Sequence, residues 1–150
     1  MKAENQTGAS ISLSFDKTKL QVSVIHEFLT TSYWSPGISE EMVRKALSNS
    51  LTVGAYFEDQ AQVGLARLVT DYATFGYLAD VFVLEGYRGH GIARKMVSAI
   101  LDLPEVQGMR RLMLATKDAH GVYERSGFER IVDPTSLMQI VRPNIYQRQG

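Results

Sequence analysis

The chain contains no cysteine in 150 residues. That absence excludes disulfides, thiolate metal sites and a cysteine nucleophile, and it fits a reducing cytosol. A surplus of either charge is missing too. Sixteen Lys and Arg balance sixteen Asp and Glu, so the overall field recommends neither nucleic acid nor an anionic membrane as a partner. No apolar stretch approaches the roughly 20 residues that span a bilayer, and Met1 to Ser10 is polar, without the apolar core of a signal segment. There are no repeats, low-complexity tracts or linkers. What remains is the expectation of a soluble, cytoplasmic, single-domain protein, with residues 1–10 a flexible N-terminal segment and 11–150 the folded domain.

Periodicity then orders the elements. Ile11 to Phe15 alternates apolar and polar residues and reads as a strand. Leu20 to Tyr33 carries Val22, Ile25, Phe28 and Leu29 at helical spacing, and Pro36-Gly37 breaks it. Ser39 is placed to cap a second helix with Glu40 and Glu41 in its first turn and Val43, Ala46 and Leu47 on its inner face. Leu51 to Phe57 and Ala61 to Val69 form a predicted hairpin, and Thr74 to Leu84 follows as a strand apolar on both parities apart from Asp80. A helix with Ile92, Met96, Val97, Ile100 and Leu103 inward is expected to stop at Pro104. Arg111 to Ala115 reads as a strand parallel to the one before the helix. Asp118 is the predicted cap of a last helix, Ala119 to Ser126, ended by Gly127. Phe128 to Val132 and Leu137 to Val141 supply one or two closing strands. The order β-α-α-β-β-β-α-β-α-β describes a single α/β domain whose mixed central sheet has helices on both faces.

The chemistry concentrates in Val81-Phe82-Val83-Leu84-Glu85-Gly86-Tyr87-Arg88-Gly89-His90-Gly91-Ile92-Ala93. A buried strand here runs through a glycine-rich loop into a helix, which leaves backbone N–H groups unpaired at the positive end of a helix dipole. Such a junction suits a phosphate or pyrophosphate, and Arg88 adds a fixed charge that can fork onto one. Arg88-x-x-Gly91-x-Ala93 has the form R/Q-x-x-G-x-G/A, although an ordinary glycine-rich β–α turn has the same look. The dinucleotide fingerprint fits less well, because its third glycine position holds Arg94 and no acid ends a strand about 20 residues on.

A second motif, Tyr123-Glu124-Arg125-Ser126-Gly127-Phe128, follows on the next strand–helix unit. The two motifs in this order and spacing resemble the GNAT superfamily of N-acetyltransferases, and the element order agrees over nearly the whole chain. The resemblance implies a GNAT-like fold and acetyl-CoA as the acetyl donor, with no metal. It puts the pantetheine arm against the backbone of Val81, Phe82 and Val83, and the pyrophosphate on Arg88, Gly89, His90, Gly91, Ile92 and Ala93. A backbone N–H near Val83 would polarise the thioester carbonyl. Tyr123 matches the residue that protonates the departing thiolate, unless it is a core tyrosine beside Phe128. Thr116 stands where many members have an asparagine that touches the pantetheine, and Leu84-Glu85 stands where a proline often follows the strand.

Attack on a thioester requires a neutral amine, so a base or a water relay is needed. Asp80 is the first candidate. Alternation puts it on the face of Leu78 and Phe82, opposite Val81 and Val83, where it could instead be a buried aspartate bonded to backbone or a neighbouring helix. Asp118 and His120 lie near the same end of the sheet, and His26 reads as structural. Tyr33 and Trp34, before Pro36-Gly37, are candidate acceptor-binding residues, since aromatic rings hold cationic amines. A hydrophobic plug between helices is the other reading. Asp71 and Tyr72 could also face the acceptor. The acceptor itself is expected to be a small-molecule, peptide or lysine amine, and many relatives are dimers, which leaves a homodimer among the expectations. A non-catalytic acyl-CoA sensor and a nucleotide-binding oxidoreductase are the rival functions.

Overall fold

The computed structural model describes residues 10–147. The expected flexible segment therefore falls, but for Ser10, outside the described residues. Five strands form one sheet in the order β1-β2-β3-β4-β5: Ile11–Ser14, Leu51–Phe57, Ala61–Thr70, Phe75–Val83 and Arg111–Leu114. The first four are antiparallel neighbours, and β5 runs parallel to β4. The sheet is mixed, as the pattern predicted.

Two helices cover one face. α1 (Val22–Thr30) and α2 (Glu40–Ser48) bury Ile25, Leu29, Val43 and Leu47 against Leu65 and Phe82. Ser39 caps α2 as expected, its side chain accepting from the Met42 N–H. α1 is tied down differently: Gln62, buried in β3, accepts the Gln21 N–H at 2.7 Å, while the Gln21 side chain accepts the Gln62 N–H at 3.1 Å. That exchange satisfies a helix-start donor that no local cap reaches.

The opposite face carries α3 (Ile92–Leu101) and the single turn α4 (Pro104–Gln107). Ile92, Met96, Val97 and Ile100 pack on Val53, Val63, Leu68, Leu78 and Val83 in the larger of the two cores. Pro104 does not simply stop α3. The helix ends at Leu101, and Pro104 opens α4 in the first-turn position, where its missing N–H costs nothing.

The end of the chain departs most from expectation. α5 spans only His120–Glu124, and Asp118 does not cap it. Ala119 stands at the cap position with no side-chain bond to the helix, and Thr116 Oγ1 accepts the Ala119 N–H at 3.1 Å in the turn before it. Gly127 does hold a positive φ of 104°, closing the turn after α5. Beyond it, Phe128 to Val132 and Leu137 to Val141 are not strands. Asp133 accepts the Thr135 N–H and opens a short 3₁₀ turn at Pro134–Ser136, and no described neighbour offers these segments a ladder. The chain returns to the body at Tyr146, which packs against the α1–α2 core.

Candidate functional site

Pairing between β4 and β5 ends at Leu78 and Leu114. From there β4 runs on to Val83, whereas β5 gives way to the loop that leads to α5. The two chains part, and a cleft of about 620 Å³ opens between them. Ala79, Asp80 and Val81 form one wall, Ala115 to Ala119 with Tyr123 the other, and Tyr33, Trp34, Ile38 and Met42 close over it from the α1–α2 side. A strand that loses its neighbour presents unpaired backbone groups, so this wall can bind a ligand as another strand would.

The β4 wall is bent by a bulge. Leu65 pairs with Phe82 and Arg67 with Ala79, so Asp80 and Val81 together oppose Ala66, and Asp80 takes a φ of 53°. Aspartate tolerates this left-handed region better than most residues. The bulge breaks the simple alternation: Leu78 and Val83 enter the α3 core while Phe82 enters the α1–α2 core. The grouping of Asp80 with Leu78 is thereby corrected.

Asp80 is fully engaged. Its Oδ2 accepts from Arg67 Nε at 2.8 Å and its Oδ1 from Trp34 Nε1 at 2.8 Å, while Arg67 Nη1 reaches Ser50 Oγ at 3.0 Å. The two charged side chains are only 17% and 10% exposed. Neither backbone nor a helix partner holds the carboxylate, as sequence reasoning had allowed; an arginine from β3 and the indole do. Arg67 was missed, although a lone charge inside the otherwise apolar run Val63 to Val69 was its signal. Tyr146 was missed as well, and nothing in the pattern links it to a cleft that it lines.

Trp34 is fixed from several directions. Phe82 stacks on Phe28 at 4.1 Å and 9°, Phe28 meets Trp34 at 6.2 Å, and Trp34 meets Tyr33 edge to face at 5.0 Å. This ladder runs from the sheet to the cleft mouth. At its outer end, Lys117 Nζ stands 5.1 Å from the Tyr33 ring centroid, so one cation already uses that aromatic face.

The glycine loop lies past the end of β4. A short 3₁₀ turn at Glu85–Tyr87 leads to Gly89 and Gly91, with φ of 87° and 75°. These values require glycine, and a Cβ at either position would meet nothing within 4 Å, so the loop face is open. The first helical bond of α3 runs from the Lys95 N–H to the Gly91 carbonyl, which leaves Ile92, Ala93 and Arg94 as helix-start donors. No backbone bond among the described residues takes the N–H of Gly89, His90 or Gly91 either. Six donors thus gather at one helix end, and the loop fits a pyrophosphate. Ile92 itself is buried in the core, so it offers its N–H and not its side chain. Arg88 turns back, its Nε donating to the Val83 carbonyl at 2.8 Å, which leaves the Nη groups for a phosphate.

Tyr123 lines the cleft from α5 and meets Phe128 edge to face at 6.1 Å. Burial raises its phenol above the ordinary value of 10.0, and nearby Tyr33 adds to the shift, so the hydroxyl holds its proton at neutral pH. Thr116 also faces the cleft, with its oxygen accepting in the turn and its own O–H still to give. His26 bonds the Ile38 carbonyl at 3.0 Å and ties α1 to the following loop. Asp71 and Tyr72 do not line the cleft: Asp71 folds its own turn, accepting the N–H groups of Ala73, Thr74 and Phe75. His120 lines not the cleft but an adjoining groove, which shares Leu114, Ala115, Thr116 and Tyr123 with it. Among the described residues no helix is long and apolar enough to cross a membrane, and no group of three or more His, Asp or Glu could hold a metal ion.

Comparison with known proteins gives a consistent answer. The model of the acetyltransferase (GNAT) family matches residues 20–128. A Gibberella zeae protein designated an acetyltransferase is 32% identical over 139 residues, covering 78% of this chain and 77% of its own. Among solved structures, a GNAT-family protein of Xanthomonas campestris pv. campestris is 40% identical with a TM-score of 0.86, over 91% of this chain and 96% of that one. A Clostridium acetobutylicum protein, solved with acetyl-CoA, shares the fold at 14% identity and a TM-score of 0.64, over 87% of this chain and 96% of the other.

Proposed function

The chain belongs to the acetyltransferase (GNAT) family, and we propose that it is an acetyl-CoA-dependent N-acetyltransferase that moves an acetyl group directly to a primary amine in a ternary complex. The observation that carries this reading is the pairing of two open features along one strand. The splayed edge of β4 after Leu78 leads straight to the six free N–H donors between Gly89 and Arg94. A long ligand with an amide-bearing arm and a pyrophosphate would use both.

Acetyl-CoA, when bound, supplies a thioester activated for attack by an amine. The chain's own groups do the rest. The backbone at Val81, Phe82 and Val83 holds the arm, and Thr116 gives an O–H from the opposite wall. Gly89 to Ala93 receive the pyrophosphate at the helix start, with Arg88 closing on it through its Nη groups. Tyr123 keeps a proton on Oη within the cleft and is the acid for the leaving thiolate. Tyr33 and Trp34 form the acceptor wall.

Asp80 takes a positioning role in this scheme. Both its oxygens accept from N–H donors, so it aligns the indole and balances Arg67, and the amine sheds its proton to water in the cleft. With no cysteine in the chain, no thiol is available to carry the acetyl group.

Calorimetry with acetyl-CoA, followed by thiol release over a panel of amines, tests the proposal. Binding together with amine-dependent release is the expected outcome. Binding with only background hydrolysis across small-molecule, peptide and lysine amines would identify an acyl-CoA sensor instead. No binding of acetyl-CoA at all refutes both.

A further inference from the structure

The two faces of the central strands are covered unequally. Where β3, β4 and β5 lie side by side, Leu68, Leu78 and Leu112 pack into the α3 core. The alternate residues of the same strands, Val69, Tyr77 and Phe75, point to the other face. There the α1–α2 core takes Leu65 and Phe82 from these strands but none of the three. They are 41%, 37% and 39% exposed, although β4 has a strand on each side. Large apolar side chains left bare together on interior strands mark a binding surface.

This shelf is continuous with the cleft, since Tyr77 lines the cleft together with Ala79 and Asp80. Along β4 the order is Phe75 and Tyr77, then the cleft from Ala79, then the glycine loop beyond Val83. A cofactor anchored on that loop enters from the far end of β4, so the shelf is the approach left to the acceptor. From Ala79 back to Phe75 it extends about 13 Å at the rise of a strand. Phe75 to Leu78 are paired to β5, and Gly76 to Leu78 to β3 as well. The backbone of the shelf therefore has no hydrogen bonds to offer a peptide laid across it, and only apolar contact remains. Charge narrows the choice further. Of the two acids in the cleft lining, Asp80 is held by Arg67 and Trp34, which leaves Asp118 for one ammonium group. At the outer end Arg111 stands opposite Phe75, exposed and without an ion pair among the described residues, and it repels a second.

We propose that the acceptor is a monoamine on a non-peptide apolar body, long alkyl or aromatic, which lies on Val69, Phe75 and Tyr77 with its amine in the cleft. The amine nitrogen bonds to the acetyl carbon and the carbon–sulfur bond breaks. The amine's proton leaves to water, and the CoA thiolate takes one from Tyr123. This class of acceptor rests on the acetyltransferase reading of the cleft, but the shelf can be probed without turnover.

Thiol release from acetyl-CoA is measured with propylamine, octylamine, 2-phenylethylamine, 1,8-diaminooctane and a lysine peptide. A shelf covers one side of a chain, so each methylene should raise kcat/KM by about twofold, against nearly fourfold for full burial. Octylamine should thus exceed propylamine by roughly thirtyfold, and 2-phenylethylamine should exceed it too. The diamine and the peptide should fall at least about tenfold below octylamine. Val69→Thr with Phe75→Thr keeps strand-forming residues and removes the apolar surface. It should cut the octylamine advantage to below about fivefold, with propylamine turnover and acetyl-CoA affinity within about twofold of wild type. Calorimetry on the CoA-loaded protein should show N-octylacetamide binding at least about tenfold more tightly than N-propylacetamide. If no amine releases thiol, the transferase reading fails and this ratio alone decides the shelf. Equal affinities of the two amides overturn the proposal, as do equal kcat/KM values for the two alkylamines. So does a lysine peptide that outperforms octylamine, or an octylamine advantage that survives the double substitution. A wild-type dimer in sedimentation that the double substitution dissociates also overturns it, because a second copy then covers this face.

Discussion

Removing the charge of Asp80 should destabilise the fold by an amount set by what Arg67 is left with. Asp80→Asn keeps the size, still accepts from Trp34 and tolerates the φ of 53°, so it isolates the charge. Breaking a buried ion pair from one side costs about 3–5 kcal/mol. Here both side chains keep some solvent, at 17% and 10%, and Arg67 retains Ser50, so roughly 2–3 kcal/mol is the working figure. For a chain of 150 residues that corresponds to a fall in Tm of roughly 5–10 °C. Asp80→Ala should cost about 1 kcal/mol more than Asn, because alanine must also be forced into the left-handed region. Arg67→Met added to Asp80→Asn should restore most of the loss, since the orphaned charge is gone. Thermal melts by circular dichroism, checked by urea unfolding, provide the assay. A Tm for Asp80→Asn within 1–2 °C of wild type, against the ~5–10 °C expected, would falsify the reasoning. So would an Arg67→Met change that adds to the damage.

Three further outcomes follow from the site and its surroundings. Tyr123→Phe should lower kcat by about a hundredfold, in the range of lost acid catalysis, while acetyl-CoA affinity by calorimetry stays within about twofold. An unchanged kcat when chemistry limits turnover removes Tyr123 from the mechanism. Arg88→Ala should raise the Kd for acetyl-CoA by about tenfold, the worth of a charge-assisted contact, and equal affinity would end its assignment to the phosphate. Asp71 gives a pH signature: hydrogen bonds from the Thr74 side chain and from backbone N–H groups hold its carboxyl well below the usual carboxylate range. A depressed folded-state value means that its stabilisation is complete above the ordinary carboxylate range and is lost as pH falls through the lower one. The gap in urea midpoint between wild type and Asp71→Ala should therefore be full at neutral pH and shrink only in strong acid; a gap that widens on acidification contradicts the assignment.

Much of this architecture was legible because it rests on local rules. The hairpin strands, the Ser39 cap and the glycine loop are each decided by a few adjacent residues, and each appears where the pattern put it. Asp80 was legible as the lone acid of its strand. Its surroundings were not, because a bulge is one extra residue in a ladder and leaves no mark in alternation. Arg67 reaches Asp80, and Ser50 reaches Arg67, only after β2, β3 and β4 have aligned. Asp118 does not cap α5, and Thr116 instead bonds Ala119 in the turn that follows β5, a choice made by that turn and not by residue type. Phe128 to Val141 has the composition of strands, yet a strand is a pairing, and composition does not name the partner.

The aromatic ladder has a consequence for measurement. Trp34 is the sole tryptophan in the chain. Its N–H is bonded to Asp80, its ring meets Tyr33 and Phe28, and it stands in the wall where an acceptor would lie. All indole emission from this molecule therefore originates at one spot beside the cleft. Light absorbed at the red edge of the indole band reports on that spot alone, and a ligand that displaces water there, or breaks the bond to Asp80, must change the colour or yield of the emission. The fold carries its own optical probe, positioned in the wall of the cleft.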